Sequence, residues 1–230
     1  MKHLQSKITH QLLQAGASCA GFADISDLPP EMNQSMNRAL SIAVALDATI
    51  IEGISGGPTV RYFQEYRRVN GLLSKLCHYA VDRLNANGID SVPVEPTIED
   101  LDYSTLSVPF PHKTAALRAG FGWIGKSALL ITSKYGAAIR LATVLFQADC
   151  EVDTTPQKSL CGTCNECVIQ CPANALAGKE WEPGFERARI YDAFACCAMA
   201  QKLSHGIGLQ ATICGICINV CPWTRKYIQM

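Results

Sequence analysis

The spacing of the cysteines constrains this chain more than any other feature of its sequence. The first run has the spacing C-x2-C-x2-C-x3-C-P, and its members are Cys161, Cys164, Cys167 and Cys171. The second run repeats the last three cysteines of that spacing, and its members are Cys214, Cys217 and Cys221. A proline follows each run and ends its loop, because proline has no backbone N–H to donate. Thiolates are soft ligands that suit iron–sulfur clusters, so both runs predict metal centres.

Together the two runs have the ligand spacing of bacterial ferredoxins with two [4Fe–4S] clusters, in which the last cysteine of each run ligates the other cluster. The first three cysteines of the first run would therefore share one cluster with Cys221. The remaining members of the runs would ligate the second cluster, and these are Cys171, Cys214 and Cys217. That second set lacks one ligand, because the position that should supply it holds Ala211. Cys196 and Cys197 are the nearest cysteines, and the spacing leaves both as alternatives.

Zinc is the alternative metal, because C-x2-C pairs also form tetrahedral zinc sites. Two runs that each end in C-x3-C-P favour clusters over zinc. The chain holds twelve cysteines and begins with MKHLQSKITH, which does not have the pattern of a secretory signal peptide. In such a chain we expect cysteines to bind metal or act in catalysis rather than form disulfides. Because exposed clusters are oxygen-labile, we expect an anaerobic or well-reduced setting.

Net charge and apolar content narrow the classes of partner. The formal net charge is zero, so nothing favours a nucleic acid or an anionic membrane. Hydrophobic residues make up 48% of the chain, which is enough to form a core. The longest apolar stretch, residues 39–51, is too short to span a bilayer. We therefore expect a soluble, cytoplasmic protein with no membrane partner.

The cysteines also predict where the chain divides, since only two of the twelve precede residue 150. Residues 151–158 are polar and contain a proline, which is typical of a linker. We predict a sheet-containing domain over residues 1–150, and a ferredoxin-like module with two [4Fe–4S] clusters over 151–230.

Apolar periodicity predicts the elements of the first domain. Helical spacing indicates a long helix over residues 62–84. Short apolar runs predict buried strands at 19–23, 41–46 and 91–94. Two further runs, 129–132 and 139–146, flank a turn and predict a hairpin. Mixed strands with packed helices indicate the α+β class, with a mixed sheet.

Residues 120–127 have the sequence GFGWIGKS, which satisfies the G-x4-G-K-S pattern of phosphate-binding loops. Such a loop needs a strand before it and a helix after it, so that backbone N–H groups face the phosphate. Here a helical stretch, residues 113–119, precedes the segment, and a strand-like run, 128–132, follows it. The pattern therefore indicates no nucleotide site. The glycines still predict a close approach of the backbone, either in a tight turn or over a planar ligand.

Three motifs taken together resemble the epoxyqueuosine reductase family: AGFGWIGKSALLI, CGTCNECVIQCP and CGICINVCPW. The resemblance extends over residues 62–223. It implies an α/β domain that binds cobalamin, joined to a double [4Fe–4S] module that feeds electrons to the corrinoid. In the family the corrinoid reduces an epoxide on a modified tRNA nucleoside, and reductive dehalogenases share the same core.

The resemblance also implies particular site residues. It selects Cys196 over Cys197 as the eighth cluster ligand, because the family has an aspartate four residues before this cysteine and Asp192 fits that pattern. The glycine-rich segment is the expected cofactor-binding segment, and its residues are Gly120, Gly122, Trp123, Gly125, Lys126 and Ser127.

The chain departs from the family at the expected proton donor. No aspartate follows the strand SVPV, and Glu95 is the nearest acid. The family's helical acid before the glycine-rich segment corresponds here to His112. We therefore take His112 and Glu95 as the candidate catalytic residues. The family's C-terminal helical-repeat domain has no counterpart in this sequence, so tRNA is not the expected substrate.

Two functions follow from these features. The first is an iron–sulfur oxidoreductase that uses cobalamin in its first domain to reduce a small electrophile. The second is a non-catalytic electron-transfer protein that reduces a partner, for example a corrinoid protein. Both need a low-potential electron donor such as ferredoxin or flavodoxin. The sequence leaves open whether cobalamin, flavin or no cofactor is held by the first domain.

Overall fold

The computed structural model describes residues 1–97, 104–152 and 158–230. The α-helices of this part are α1 (Lys2–Gln14), α2 (Pro30–Asn33), α3 (Ala48–Glu52), α4 (Val60–Asn85), α5 (His112–Arg118), α6 (Glu166–Ile169), α7 (Ala193–Gly206), α8 (Ile216–Asn219) and α9 (Pro222–Ile228). The strands are β1 (Cys19–Asp24), β2 (Arg38–Ala45), β3 (Ser91–Val94), β4 (Trp123–Ile124), β5 (Leu130–Ile131) and β6 (Ile139–Phe146). A short 3-10 helix covers Arg187–Arg189. None of these helices combines the length and apolar character needed to cross a membrane.

The main sheet has four strands in the order β1-β2-β6-β3. β1 pairs antiparallel with β2, and β3 pairs antiparallel with β6. β2 reads RALSIAVA and is buried along most of its length, as expected for a near-continuous apolar strand. Helices with this antiparallel pairing of strands, followed by the cysteine-rich segment, confirm the predicted α+β class.

Several predicted elements are confirmed and one is wrong. The long helix and the strand Ser91–Val94 form where apolar periodicity predicts them. The predicted hairpin of 129–132 with 139–146 does not form: β5 pairs with β4, and β6 pairs with β3. The predicted turn closes only a single bridge between Thr132 and Gly136. Apolar runs mark strands correctly, but they do not choose strand partners.

The chain forms two compact units, and each combines three separated segments. The sheet unit comprises Met1–Ala45, Arg68–Phe121 and Arg140–Gln157. The cysteine unit comprises Leu46–Arg67, Gly122–Ile139 and Lys158–Met230. The distribution of cysteines, in contrast, predicts a single division at residue 150. That division places residues 46–67 and 122–139 in the first domain, because these segments contain no cysteine.

The sheet unit has an apolar core. Helix α4 contributes a buried stripe of side chains at helical spacing to this core. The stripe consists of Val69, Leu73, Leu76, Ala80 and Leu84. A second group packs near the end of β3 and around α5, with Phe110 and Ala115 at its centre. Burial of this apolar surface is the main favourable contribution to folding.

The cysteine unit is closed by hydrogen bonds between residues far apart in sequence. Asn219 is fully buried and donates to the carbonyls of Ile51 and Glu52 at the end of α3. The Tyr227 hydroxyl donates to the Leu46 carbonyl at 2.8 Å. These bonds attach α8 and α9, which flank the last cysteines, to a segment that precedes them by more than a hundred residues.

Candidate metal centre

Four cysteine thiols line a cavity of about 230 Å³ in the cysteine unit. They are the four that the sequence assigns to the first cluster, namely Cys161, Cys164, Cys167 and Cys221. Burial raises the pKa of the Cys167 thiol to about 11, and the neighbouring thiols of Cys161, Cys221 and Cys164 raise it further. Such thiols are protonated without metal, and iron must displace their protons on binding. The donor set and the space both fit a [4Fe–4S] cluster.

Cys221 lies at the N-cap of α9, where free backbone N–H groups point towards it. Burial raises the pKa of its thiol, and hydrogen bonds from Thr224 and Trp223 oppose that rise. Thr224 is fully buried and also accepts a bond from the backbone N–H of Ala137. The helix therefore presents Cys221 to the cavity as an acceptor of N–H bonds.

Lys126 supports the loop that carries the first cysteines. Its ammonium donates to the carbonyls of Gly162 and Cys164, at 2.7 and 3.1 Å, and to the side chain of Asn165 at 3.1 Å. The side chain is only 6% exposed, and none of these three acceptors is a carboxylate. Lys126 also lines the cavity, so its charge lies beside the position of an anionic cluster. The lysine of the apparent phosphate motif thus serves the first metal centre.

Two tryptophans from distant parts of the sequence pack beside the same cavity. Trp123 is 1% exposed and meets Trp223 edge to face, with ring centroids 5.0 Å apart. Trp123 belongs to an apolar group against which Cys161 and Cys221 pack. The indole Nε1 of Trp123 has no hydrogen-bond partner within the described chain. A buried donor without a partner is costly, so this atom bears on what the cavity holds.

The glycines of residues 120–127 allow close backbone packing. A Cβ at Gly122 would lie 1.8 Å from the carbonyl oxygen of Ile131, and one at Gly125 would contact Ile131 and the Cys161 sulfur. Gly120 has φ of +74° and ends α5, where its N–H and that of Phe121 bond back to the last turn of the helix. These contacts explain the glycines by a tight turn and by close packing of the backbone against Ile131. They need no planar ligand.

Ser127 also lines the cavity of the first centre, and Ser127, Lys126 and Trp123 all lie in the cysteine unit. Gly120 lies in the sheet unit. Of the six residues predicted to bind a cofactor, five lie in the cysteine unit, and two of these, Lys126 and Ser127, line the cavity of the first metal centre. Their assignment to cobalamin stays a prediction.

The remaining predicted ligands form a second set in the same unit. Burial raises the pKa of the Cys196 thiol to about 11, reinforced by the nearby thiols of Cys171 and Cys214. Burial also raises the pKa of Cys217, with Cys214 and Cys196 as its strongest charged neighbours. These mutual effects indicate that the four thiols of the second set lie within electrostatic range of one another. Across the described residues, no three His, Cys, Asp or Glu side chains meet as ligands of one single ion. A [4Fe–4S] cubane is larger than a single ion, so its four thiolates lie farther apart than the ligands of one ion do.

Helix α7 explains why Cys196 occupies this set. Asp192 caps the helix by accepting bonds from the N–H groups of Phe194 and Ala195. Cys196 follows in the first turn, with its own N–H bonded to the Asp192 carbonyl. Cys197, the alternative eighth ligand, is half-buried, as is Cys196. The aspartate that identified Cys196 in the sequence is thus the residue that starts its helix.

The opposite end of α7 fixes the cysteine run that follows. Ser204 is fully buried, and its hydroxyl donates to the carbonyl of Ile213 at 2.9 Å. Ile213 directly precedes Cys214. Gly215 then has φ of +89°, and a Cβ there would lie 2.5 Å from the side chain of Ile54. One helix therefore positions ligands of the second set at both of its ends.

The two candidate catalytic residues lie together in the sheet unit, joined through backbone. The Nε2–H of His112 donates to the carbonyl of Glu95 at 2.9 Å, and its Nδ1 accepts from the Thr143 hydroxyl at 2.9 Å. A carbonyl can only accept, so the neutral ring carries its proton on Nε2. Burial lowers the pKa of His112 to about 4. The Glu95 carboxylate points instead towards His78, at 3.7 Å.

Side chains hold the segment after β3 residue by residue. His112 binds the carbonyl of Glu95, Arg140 donates to the carbonyl of Pro96, and Asn70 donates to the Thr97 hydroxyl. Arg140 also donates to Asn70 at 3.0 Å. Sequence reasoning did not find this network, because its members come from four separate elements and share no motif. Residues 98–103, which follow this segment, lie outside the described residues.

The comparisons with known proteins support the cluster assignment. Residues 160–224 match the family model of the 4Fe-4S double cluster binding domain. The chain therefore carries a domain for two [4Fe–4S] clusters, as the cysteine spacing predicted.

The predicted resemblance to epoxyqueuosine reductases is also confirmed. An epoxyqueuosine reductase from Synechocystis sp. is 32% identical over 148 residues, which are 59% of this chain and 48% of the relative. This chain spans less than half the length of the curated relatives it matches.

Solved structures confirm the fold. An epoxyqueuosine reductase in complex with an epoxyqueuosine-modified tRNA stem loop aligns with a TM-score of 0.66 at 18% identity, over 97% of this chain and 66% of that chain. A reductive dehalogenase, whose structure suggests a mechanism for B12-dependent dehalogenation, aligns with a TM-score of 0.70 at 17% identity, over 95% of this chain and 31% of the other.

Proposed function

We propose that this protein is an iron–sulfur oxidoreductase that passes electrons through two [4Fe–4S] clusters and uses a bound cobalamin to reduce a small electrophile. The observation that carries the proposal is the arrangement of eight thiols in two sets within one compact unit. Cys217 of the second set is also influenced by Cys167 of the first. Two clusters held this close would exchange electrons within the unit.

The electrons would come from a low-potential donor such as a ferredoxin or flavodoxin. Lys126 would stabilise negative charge on the first cluster, because its buried ammonium lines that cavity. The residues around the cavity would exclude water and fix the cysteine loop, which favours rapid transfer without rearrangement. A bound cluster would supply single electrons. The residues of the chain would shield the cluster from water and place the positive charge of Lys126 beside it.

Cobalamin is our choice of acceptor because the similar fold of a reductive dehalogenase is associated with B12-dependent chemistry. The glycine-rich segment does not fit as its cradle. The side-chain position of Gly122 is filled by Ile131, Trp123 is buried, and Lys126 is bonded to the cysteine loop. In our proposal other residues hold the cobalamin, and no proton step is assigned to it.

The second candidate function is that of an electron carrier without a catalytic cofactor. The state of His112 favours this alternative. Its neutral ring donates to one internal partner and accepts from another, so it has no proton to give to a substrate near pH 7. In this alternative the sheet unit docks an acceptor, for example a corrinoid protein.

One titration separates the two functions. Anaerobically reconstituted protein should hold about eight iron atoms per chain. Hydroxocobalamin is then added to the reduced protein under nitrogen, and the visible spectrum is followed. The oxidoreductase predicts binding and reduction of cobalamin by wild type. If the protein holds eight iron atoms per chain but binds no cobalamin, the electron-carrier function is supported. An iron content of about four atoms per chain would contradict the two-cluster assignment.

A further inference from the structure

The indole of Trp123 is the buried polar group that the protein's own residues leave unexplained. The side chain is 1% exposed, and its Nε1 atom finds no acceptor within the described residues. A buried N–H that lacks an acceptor is destabilising, so folded proteins rarely keep one without a role. An acceptor that belongs to a bound group would remove this cost.

The surroundings of Trp123 restrict where that acceptor can come from. The apolar group that contains Trp123 includes Ile131 and Ala137, and the side chains packed against it are Leu129, Cys161, Ile218, Cys221 and Trp223. Among these apolar side chains only the two cysteines carry an acceptor atom, and neither sulfur lies within bonding distance of Nε1. Both cysteines line the cavity of the first cluster, one from each cysteine run.

We propose that Trp123 Nε1–H donates a hydrogen bond to a bridging sulfide of the first [4Fe–4S] cluster, since no cysteine sulfur of the described residues lies within bonding distance of it. This inference rests on the proposed cluster assignment and adds a tuning residue to it. Hydrogen bonds to cluster sulfurs are among the factors that set reduction potential. Reduction adds negative charge to the sulfurs, so the bond strengthens and the reduced state is stabilised. Trp123 is a positioning and tuning residue, since electrons do not pass through its N–H.

The ring contact with Trp223 explains how Trp123 keeps its orientation. The two rings meet edge to face at an interplanar angle of 75°. Trp223 follows Cys221 and Pro222, so it moves with the cluster loop. The ammonium of Lys226 lies 4.6 Å from the centroid of the Trp223 ring and covers this second tryptophan. Trp223 therefore provides a matched control, because it is an indole of the same pair and is less buried.

Redox titration of the reconstituted protein tests the proposal. Trp123→Phe should retain about eight iron atoms and should lower the potential of one cluster only. The expected change is about tenfold in the reduction equilibrium, or about 59 mV for one electron. Trp223→Phe should leave both potentials close to wild type. Unchanged potentials in Trp123→Phe with full iron would overturn the proposal, whereas incomplete iron in wild type would overturn the cluster assignment instead.

A spectroscopic measurement keeps the test valid if Trp123→Phe fails to load iron. Protein labelled with ¹⁵N at the indole nitrogen is reduced, and electron–nuclear double resonance is recorded on the clusters. A ¹⁵N coupling should be present in wild type and should persist in Trp181→Phe and Trp223→Phe. These variants remove the other two tryptophans of the chain one at a time. Absence of the coupling in fully loaded wild type would reject the hydrogen bond.

Discussion

At the scale of single residues, the polar side chains of this protein mostly hold the backbone in place. Lys126 binds two carbonyls and an amide oxygen of the first cysteine loop. His112 joins Thr143 to the carbonyl of Glu95. Both residues belong to sequence features that suggest catalysis or phosphate binding. In the structure the polar atoms of both side chains form hydrogen bonds with other residues of the protein.

We expect the His112 ring to make the stability of the protein depend on pH. Burial lowers its folded pKa to about 4, below the value of 6.5 for a free histidine. Between these values the unfolded state binds a proton that the folded state does not, so stability is lost as the pH falls. The loss should be about 2 kcal/mol between pH 7 and pH 5. Anaerobic urea unfolding, followed by circular dichroism, measures it.

The matched variant for this prediction is His112→Gln, which keeps a polar side chain but does not titrate. It should be less stable than wild type at pH 7 and should show a smaller loss on going to pH 5. Equal losses in the two proteins would assign the pH dependence to other groups.

Lys126→Met should weaken the first cluster, because the methionine fills the space but offers no donor to the cysteine loop. Loss of such a supporting contact typically lowers metal affinity 10–100-fold. We therefore expect chelators to remove the iron of the first cluster, about half of the total, at least tenfold faster than from wild type. Lys226→Met is the control, since Lys226 lines the same cavity but is exposed and lies over Trp223. Equal rates of iron loss in both variants would contradict a role specific to Lys126.

Residue types and spacings predicted part of this site and missed another part. The four cysteines that line the first cavity were predictable because each lies within a short motif. The ligands of the second set, with Cys196 marked by its capping aspartate, stay a prediction. The pairing of Trp123 with Trp223 was not predictable, because periodicity carries no information about contacts a hundred residues apart. The same limit explains the wrong hairpin, since β5 and β4 pair through a close approach at Gly122 that apolar patterning does not encode.

At the scale of elements, α7 is the structural link within the second centre. Its N-terminal turn carries Cys196, and Ser204 near its end fixes the residue before Cys214. Eight residues of helix separate Cys196 from Ser204, a rise of about 12 Å. A break in this helix should therefore disturb two ligands together.

Serine substitutions test which cysteine of α7 is the ligand. Cys196→Ser should reduce the iron content to about four atoms per chain, because the second cluster loses a thiolate. Cys197→Ser should leave about eight, because the thiols that influence Cys217 include Cys196 but not Cys197. Iron and sulfide analysis after anaerobic reconstitution gives the result. The opposite pattern would make Cys197 the eighth ligand.

At the scale of the whole molecule, the cysteine unit is not a continuous ferredoxin appended to a sheet domain. Segments 46–67 and 122–139 complete it, and they contribute Lys126, Trp123 and the carbonyl partners of Asn219 and Tyr227. The match of residues 160–224 to a double-cluster family thus covers all eight ligands but not the side chains that support them.

A fragment of residues 158–230 should consequently fail as an independent two-cluster protein. It contains every predicted ligand but leaves buried Asn219 and Thr224 without their partners in the earlier segments. We expect less than half the iron content of the full chain after identical reconstitution, and faster bleaching in air. A fragment that held about eight iron atoms with full stability would show that the earlier segments are dispensable.

The long separation between Leu46 and Tyr227 also bears on how the protein is made in the cell. These bonded residues lie 181 positions apart, and a ribosome adding 5–20 residues per second needs about 10–40 s to deliver the second after the first. During that interval Trp123 and its apolar neighbours have emerged without the helices that bury them. The first cluster can therefore form only after Cys221 has been synthesised, and before that stage the exposed apolar side chains are ones that chaperones bind.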